Sequence, residues 1–292
     1  MTRALCLDQE DGRFPRALLL APDPPARVWL RGDLSLLGRP AVGIIGSREP
    51  TGYGLGVTFD AARDLASSGL VIVSGMARGL DARAHQGALA AGGGTIAVLG
   101  CGIDVDYPKQ NLGLLNDVRE RGLVLTEFEP GIEPTKWTFP KRNRLIAALS
   151  SALIVAEAKL KSGTANTVEW MLRIGRPVFA IPGRIGDPLS AGPNAMIRDG
   201  AHIYLHANDV RRMFELPLEP EEGRPEPAKR EHPDLPRAEA DVFDLLGRRP
   251  VHVDDLALRC RMEPGLLLAA LSSLELRGLV EQLPGKRFAL AS

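Results

Sequence analysis

Seven short apolar runs constrain this chain more than any other feature: AVGIIG (41–46), LVIVSG (70–75), TIAVLG (95–100), LVLTEF (123–128), ALIVAEA (152–158), PVFAIPG (177–183) and AHIYL (201–205). They are rich in Val and Ile, and they are continuous where a half-exposed strand would alternate. That pattern belongs to strands covered on both faces of a parallel sheet. The segments between them, such as GLGVTFDAARDLASSG (54–69), repeat apolar residues every three and four positions and read as helices packed on that sheet. Alternation of this kind implies right-handed crossovers and a doubly wound, mostly parallel α/β domain over residues 1–215.

Residues 216–236, LPLEPEEGRPEPAKREHPDLP, break the pattern with six prolines and an acidic excess, and read as an extended linker. Residues 237–292 then offer three short helical segments followed by two strands around Pro284 and Gly285, the signature of a small α+β winged-helix domain.

Lys plus Arg equal Asp plus Glu at 36 each, so attraction to a polyanion has to come from local clusters and not from net charge. Cys6, Cys101 and Cys260 are far apart and form no CxxC pair, which argues for a reducing compartment and against a disulfide framework or zinc site. No stretch approaches the roughly 18 apolar residues of a membrane span, and the start lacks the apolar run of a signal peptide. A cytoplasmic protein without membrane contact is expected.

In a doubly wound sheet ligands sit beyond the carboxyl ends of the strands, so the residues following each run matter most. Gly46, Ser47 and Arg48 follow the first, ahead of a helix whose N-terminus would favour an anion. The same glycine also serves a plain tight turn. Arg78 follows the second run in SGMARGLD, with Asp81 as a helix cap and His85 as a packed or surface histidine. After the fourth run, KWTFPKRNR (136–144) interleaves Lys136, Lys141, Arg142 and Arg144 with Trp137 and Phe139, just ahead of an apolar helix. Cations track phosphates while aromatic rings stack on bases, the combination of a single-strand binding site, although a solvated basic loop looks much the same. Ser162, Gly163 and Thr164 follow the fifth run at another helix start, suited to a phosphate or simply to capping. His202 and His206 have a poor geometry for a metal, and no metal or cofactor motif is evident.

The series GIIGSR (43–48), SGMARGLDARAHQGAL (74–89), GGGTIAVLGCGIDVDYPKQN (92–111), TEFEPG (126–131), FPKRNRLIAALS (139–150), VAEAKLKSGTANT (155–167) and VFAIPGRI (178–185) strongly resembles the bacterial DNA processing protein A family, called DprA or Smf. The resemblance implies an extended Rossmann-like domain that binds single-stranded DNA and forms a homodimer. It also implies that the protein protects incoming strands and loads the RecA recombinase in natural transformation, without enzymatic activity or cofactor. It carries the DNA site onto Gly46, Ser47, Arg48, Arg78, Phe139, Lys141, Arg142, Asn143, Arg144, Ser162, Gly163 and Thr164. Two departures stand out: SGTANTV replaces the family's usual SGSLITA, and residues 1–35 hold only a short lead where the family has an N-terminal helical domain. Met196 and Ile197 fall in the region of the family dimer surface.

Two other functions fit parts of the chain. SGTANTVE, ending in Glu169, is loosely similar to the loop of nucleotide-cleaving phosphoribohydrolases, and a winged helix alone fits a transcriptional regulator. The candidate recognition helix, EPGLLLAALSSLELRG, offers only Arg277 as a cation, and over 237–292 eight basic residues balance eight acidic ones. That composition suits protein contacts better than duplex DNA.

Overall fold

The computed structural model describes residues 4–218, 235–246, 251–260 and 262–291, and the chain divides into two compact units between residues 218 and 219. Most of the stretch read as a linker, residues 219–234, lies outside the described residues.

The first unit runs β1 (Leu5–Asp8), β2 (Arg27–Gly32), β3 (Ala41–Ile45), α1 (Gly52–Ser67), β4 (Val71–Ser74), α2 (Leu80–Ala90), β5 (Thr95–Val98), α3 (Leu112–Arg121), β6 (Leu123–Thr126), α4 (Thr138–Leu149), β7 (Ala152–Val155), α5 (Thr164–Arg173), β8 (Val178–Ala180), α6 (Ala191–Arg198), β9 (His202–Ile203) and α7 (Ala207–Arg211). The nine strands form one sheet in the order β1-β2-β6-β5-β4-β3-β7-β8-β9. From β6 to β9 every pairing is parallel, as the seven runs predict. Their continuity follows from burial on both faces. Val71 and Val73 of β4 pack with α4, while Ile72 between them packs with α1 and α2.

Each strand ends before its apolar run does. The run at 70–75 leaves the ladder at Ser74, and the run at 152–158 leaves it at Val155. The trailing residues, Gly75 and Glu157 among them, stay buried but turn into the crossover loops.

The lead that precedes the first run carries two strands of its own. β1 pairs with β2, and β2 pairs antiparallel with β6, with Trp29 opposite Thr126. Val28, Trp29 and Leu30 are buried there, so the lead closes the edge of the sheet. These strands were not legible in the sequence, because four and six residues among prolines set no period by themselves; the pairing with β6, about a hundred residues away, fixes them.

The second unit packs α8 (Arg237–Leu245), α9 (Val253–Cys260) and α10 (Pro264–Leu276) against a three-stranded sheet ordered β10-β12-β11, with β10 (Val251–His252), β11 (Val280–Leu283) and β12 (Arg287–Leu290). Val242, Leu256, Leu267, Leu271 and Phe288 form its core. This is the expected winged helix, with the two-residue β10 as an extra strand. Leu266, Leu268 and Leu276 of α10 are exposed, and Arg277 at its end pairs with Glu239 at 3.6 Å.

His85 is fully buried in α2 and not at the surface. The Thr95 hydroxyl donates to the Ile72 carbonyl at 2.8 Å, which leaves its oxygen to accept from His85 Nδ1, 2.7 Å away. Nε2 has no partner among the described residues. Burial, with Arg142 nearby, takes the imidazole from its ordinary 6.5 down to about 3. The unfolded chain therefore binds a proton below pH 6.5 that the folded chain refuses until about pH 3. This contribution to stability is complete above pH 6.5 and drains away as the pH falls, by about 1.4 kcal/mol per unit. Thermal unfolding of His85→Leu should accordingly show a flatter dependence on pH between 6 and 4 than the wild type; parallel curves would contradict a neutral buried His85.

Candidate nucleic-acid interface

The strand order places a reversal between β3 and β7. The chain winds from β3 through β4, β5 and β6 on one side and then crosses back to β7 on the other. Crossover loops diverge at such a point and leave a crevice above the strand ends. Here it is a cleft of about 820 Å3. Gly46, Ser47 and Arg48 line it after β3, Asp81 after β4, Lys136 and Phe139 after β6, and Lys159 with Ser162, Gly163 and Thr164 after β7.

Buried carboxylates already hold amides in two of the loops that look ready for phosphate. At α1 the buried Glu157 carboxylate accepts from the Thr51 N–H at 2.9 Å and from the Thr51 hydroxyl. Gly54 leaves room for that carboxylate, since a Cβ would sit 2.3 Å from Glu157 Oε2. Beside α2, the Asp81 carboxylate accepts from the Gly75 N–H at 3.2 Å and from the Ala77 N–H. Burial pushes the Asp81 carboxyl up, and Arg142 opposes that rise. The chain can enter α2 this close to the β3 loop because Gly79 has φ +80° and carries no Cβ to strike the Ser47 carbonyl 2.4 Å away. Thr51, whose hydroxyl oxygen caps α1 by accepting from the Gly54 N–H at 3.2 Å, is thus itself held by an internal carboxylate.

The start of α5 remains open. No side chain caps it, Ser162 Oγ has no partner among the described residues, and a Cβ on Gly163 would meet nothing. Lys159 and Lys161 are exposed beside it.

The basic cluster is helical, not a loop. α4 begins at Thr138, with Pro140 in its first turn where the missing N–H costs nothing. A period of 3.6 then sorts neighbouring cations onto different faces. Phe139, Arg142, Asn143 and Ile146 form the face that lines the cleft. Lys141 and Arg144 form another, where both meet Glu127, at 3.4 and 2.6 Å. Arg144 is 4% exposed and also approaches Asp23 at 3.6 Å, so it is a structural ion-pair residue away from the cleft, and Lys141 points with it. Arg142 is 3% exposed; its guanidinium donates to the carbonyls of Gly75, at 2.6 Å, and Val98. Burial takes Arg142 down to about 10 from 12.5, so it stays charged at neutral pH as a cation beneath the cleft floor.

The groups free to meet a ligand are therefore Arg48, Lys136 and Lys159, with Phe139 among them. Arg48 lies over the Phe139 ring, 5.1 Å from its centroid. Lys136 stands over Trp137, whose side chain is 74% exposed at the start of α4. Arg78 does not reach the main cleft; it lines a smaller adjoining pocket that shares Arg48 and Phe139. Lys159, Asn166 and Glu157 were absent from the site expected from the sequence. A lysine just past a buried strand was the signal for Lys159, whereas nothing local marked Glu157. Glu169 lies outside the cleft lining, paired with Arg173 at 2.6 Å. Among the described residues no cluster could hold a metal ion, and no helix is long and apolar enough to cross a membrane.

The sequence family described as DNA recombination-mediator protein A matches residues 6–215. The chain belongs to that family. A second family, the DprA winged helix domain, matches residues 226–286. DNA processing protein DprA of Streptococcus pneumoniae is 44% identical over 206 residues, 70% of this chain and 73% of its own length. Protein Smf of Escherichia coli is 33% identical over 278 residues, 93% of this chain and 74% of its own. Among solved structures, DprA from Streptococcus pneumoniae aligns with a TM-score of 0.69 at 41% identity, over 75% of this chain and 76% of that one. DNA processing protein A from Helicobacter pylori, described for its single-stranded DNA binding mode, aligns with a TM-score of 0.67 at 34% identity, over 73% and 96%.

Within this DprA-family chain, Arg144 carries a prediction of its own. Arg144→Ala leaves the Glu127 carboxylate buried with only Lys141 beside it, and should cost about 3 kcal/mol in denaturant unfolding. Arg144→Met combined with Glu127→Leu should recover most of that loss. A fully stable Arg144→Ala protein would place Arg144 outside the ion pair.

Proposed function

We propose that the cleft binds single-stranded DNA, with phosphates on Arg48, Lys136, Lys159 and the open start of α5, and bases against Phe139. The observation that carries this reading is the division of anion seats. Internal carboxylates hold the loops after β3 and β4, while the start of α5 has no side-chain cap and Arg48, Lys136 and Lys159 form no ion pair within 4 Å among the described residues, the Arg48 charge being felt by Asp81 in the same lining. Basic groups with interleaved aromatic rings suit a flexible strand whose bases are unpaired, and every base offers a face to stack. Arg142, Asn143, Ser162, Gly163 and Thr164 belong to this site; Lys141 and Arg144 support α4 from behind, and Arg78 acts in the neighbouring pocket.

Handing the bound strand to the RecA recombinase in transformation and recombination is the part of the proposal supported by family membership alone. So is assembly as a homodimer. The winged helix is assigned an accessory role, because α10 carries no cation and exposes leucines. A phosphoribohydrolase would need Glu169 in the cleft, and a regulator would need cations on α10.

Fluorescence anisotropy with labelled oligothymidylate at two salt concentrations tests the reading. Arg48→Ala and Lys159→Ala should each weaken binding and reduce the slope of log affinity against log salt by about 0.7. A chain ending at residue 218 should keep most of its single-strand affinity. Unchanged binding in both variants would remove the cleft from the proposal, and loss on truncation would move the site to the winged helix.

A further inference from the structure

Trp137 stands just outside the cleft. Lys136 before it and Phe139 two residues after it both belong to the cleft lining, whereas Trp137 does not, and it is 74% exposed. Tryptophan is among the more buried residue types on average, because an indole left in water forgoes a large apolar contact. Here that contact is left unmade.

The backbone that carries the ring is held in place. The Thr135 N–H donates to the Thr138 hydroxyl oxygen at 3.1 Å, and the same hydroxyl donates to the Thr135 carbonyl at 3.0 Å. The Trp137 N–H donates to the Thr135 hydroxyl oxygen at 3.3 Å. These bonds close residues 135–138 into one turn at the entry to α4, with Thr138 buried and the indole outside. The ring has two faces to offer. Lys136 Nζ stands 5.3 Å from its centroid, and the high exposure leaves the opposite face to solvent.

An apolar protein side chain could cover that open face, but it would gain nothing from the ammonium beside it. A polynucleotide gains from both groups, since a phosphate meets Lys136 while the adjoining base meets the ring. Lys136 also ties the ring to the cleft, because it lines one and lies over the other. We infer that Trp137 is a stacking platform outside the cleft, on which the nucleobase next to the Lys136-bound phosphate lies as the strand passes over the rim. The inference rests on the cleft being the path of the strand. It extends the contact beyond the cleft without choosing between bases, since each presents a face.

The test combines intrinsic fluorescence with anisotropy, using oligothymidylate and the full chain. Of the three tryptophans, Trp29 is buried and Trp170 packs against the core, which leaves Trp137 as the exposed one. Oligothymidylate should quench the wild-type emission, and Trp137→Phe should abolish most of that quenching while binding within about fivefold of the wild type, because a smaller ring still stacks. Trp137→Ala and Trp137→Leu should each bind roughly 5- to 150-fold more weakly, the range of one lost stacking contact, with the salt slope of the wild type. Quenching that persists in Trp137→Phe, or wild-type affinity in Trp137→Leu, overturns the platform. A reduced salt slope in Trp137→Leu also overturns it, since the ring would then act through the Lys136 charge. If Arg48→Ala is weakened while Trp137→Leu is not, the cleft stands and the platform falls, the result expected of a ring that contacts a protein; if neither is weakened, both fall.

Discussion

The Arg142 guanidinium, sunk beneath the cleft and bonded to the Gly75 and Val98 carbonyls, joins α4 to the ends of β4 and β5. A buried cation is costly unless its donors are used, so its position is tightly specified. Glycine at 75 leaves the guanidinium its place, because a Cβ there would lie 2.3 Å from Arg142 Nη1. With α4 held in this way, Phe139 lies against Gly100 at the end of β5 and presents its ring to Arg48. The aromatic centre of the site is thus anchored by a charge that hardly touches solvent.

The same economy of buried charge decides where a ligand can go. A doubly wound sheet generates several helix starts at one rim, each with free amides and a favourable field for anions. Glu157 and Asp81 take up the Thr51, Gly75 and Ala77 amides just ahead of two of these starts from within the chain. They fix the crossovers after β3 and β4 and withdraw those amides from binding. What remains accessible in the cleft is the start of α5 with Lys159, Arg48 and Phe139.

Much of the cleft lining was legible before the structure, since Arg48, Phe139, Asn143 and Ser162 to Thr164 all follow apolar runs and all line the cleft. The misreading lay in 138–144. The basic stretch was expected just ahead of an apolar helix, yet proline is at ease in a first turn, and α4 takes in Lys141, Arg142 and Arg144, with Lys136 left ahead of it. Counting Phe139, Arg142, Asn143 and Ile146 at spacings of three and four would have separated the cleft face from the Glu127 face. No count would have found Glu157 holding Thr51, the N-cap of α1, across 106 residues, or β2 pairing with β6.

By itself the sequence determined the class of fold, the second domain and the rim on which chemistry gathers, because hydrophobic period and strand-end position are local properties of a covered sheet. Only the tertiary structure decided which cations are free. Whether an arginine faces a ligand, a carbonyl or a carboxylate depends on what desolvates it. That partner arrives from distant parts of the chain, as Glu127 does for Arg144 and the Gly75 and Val98 carbonyls do for Arg142.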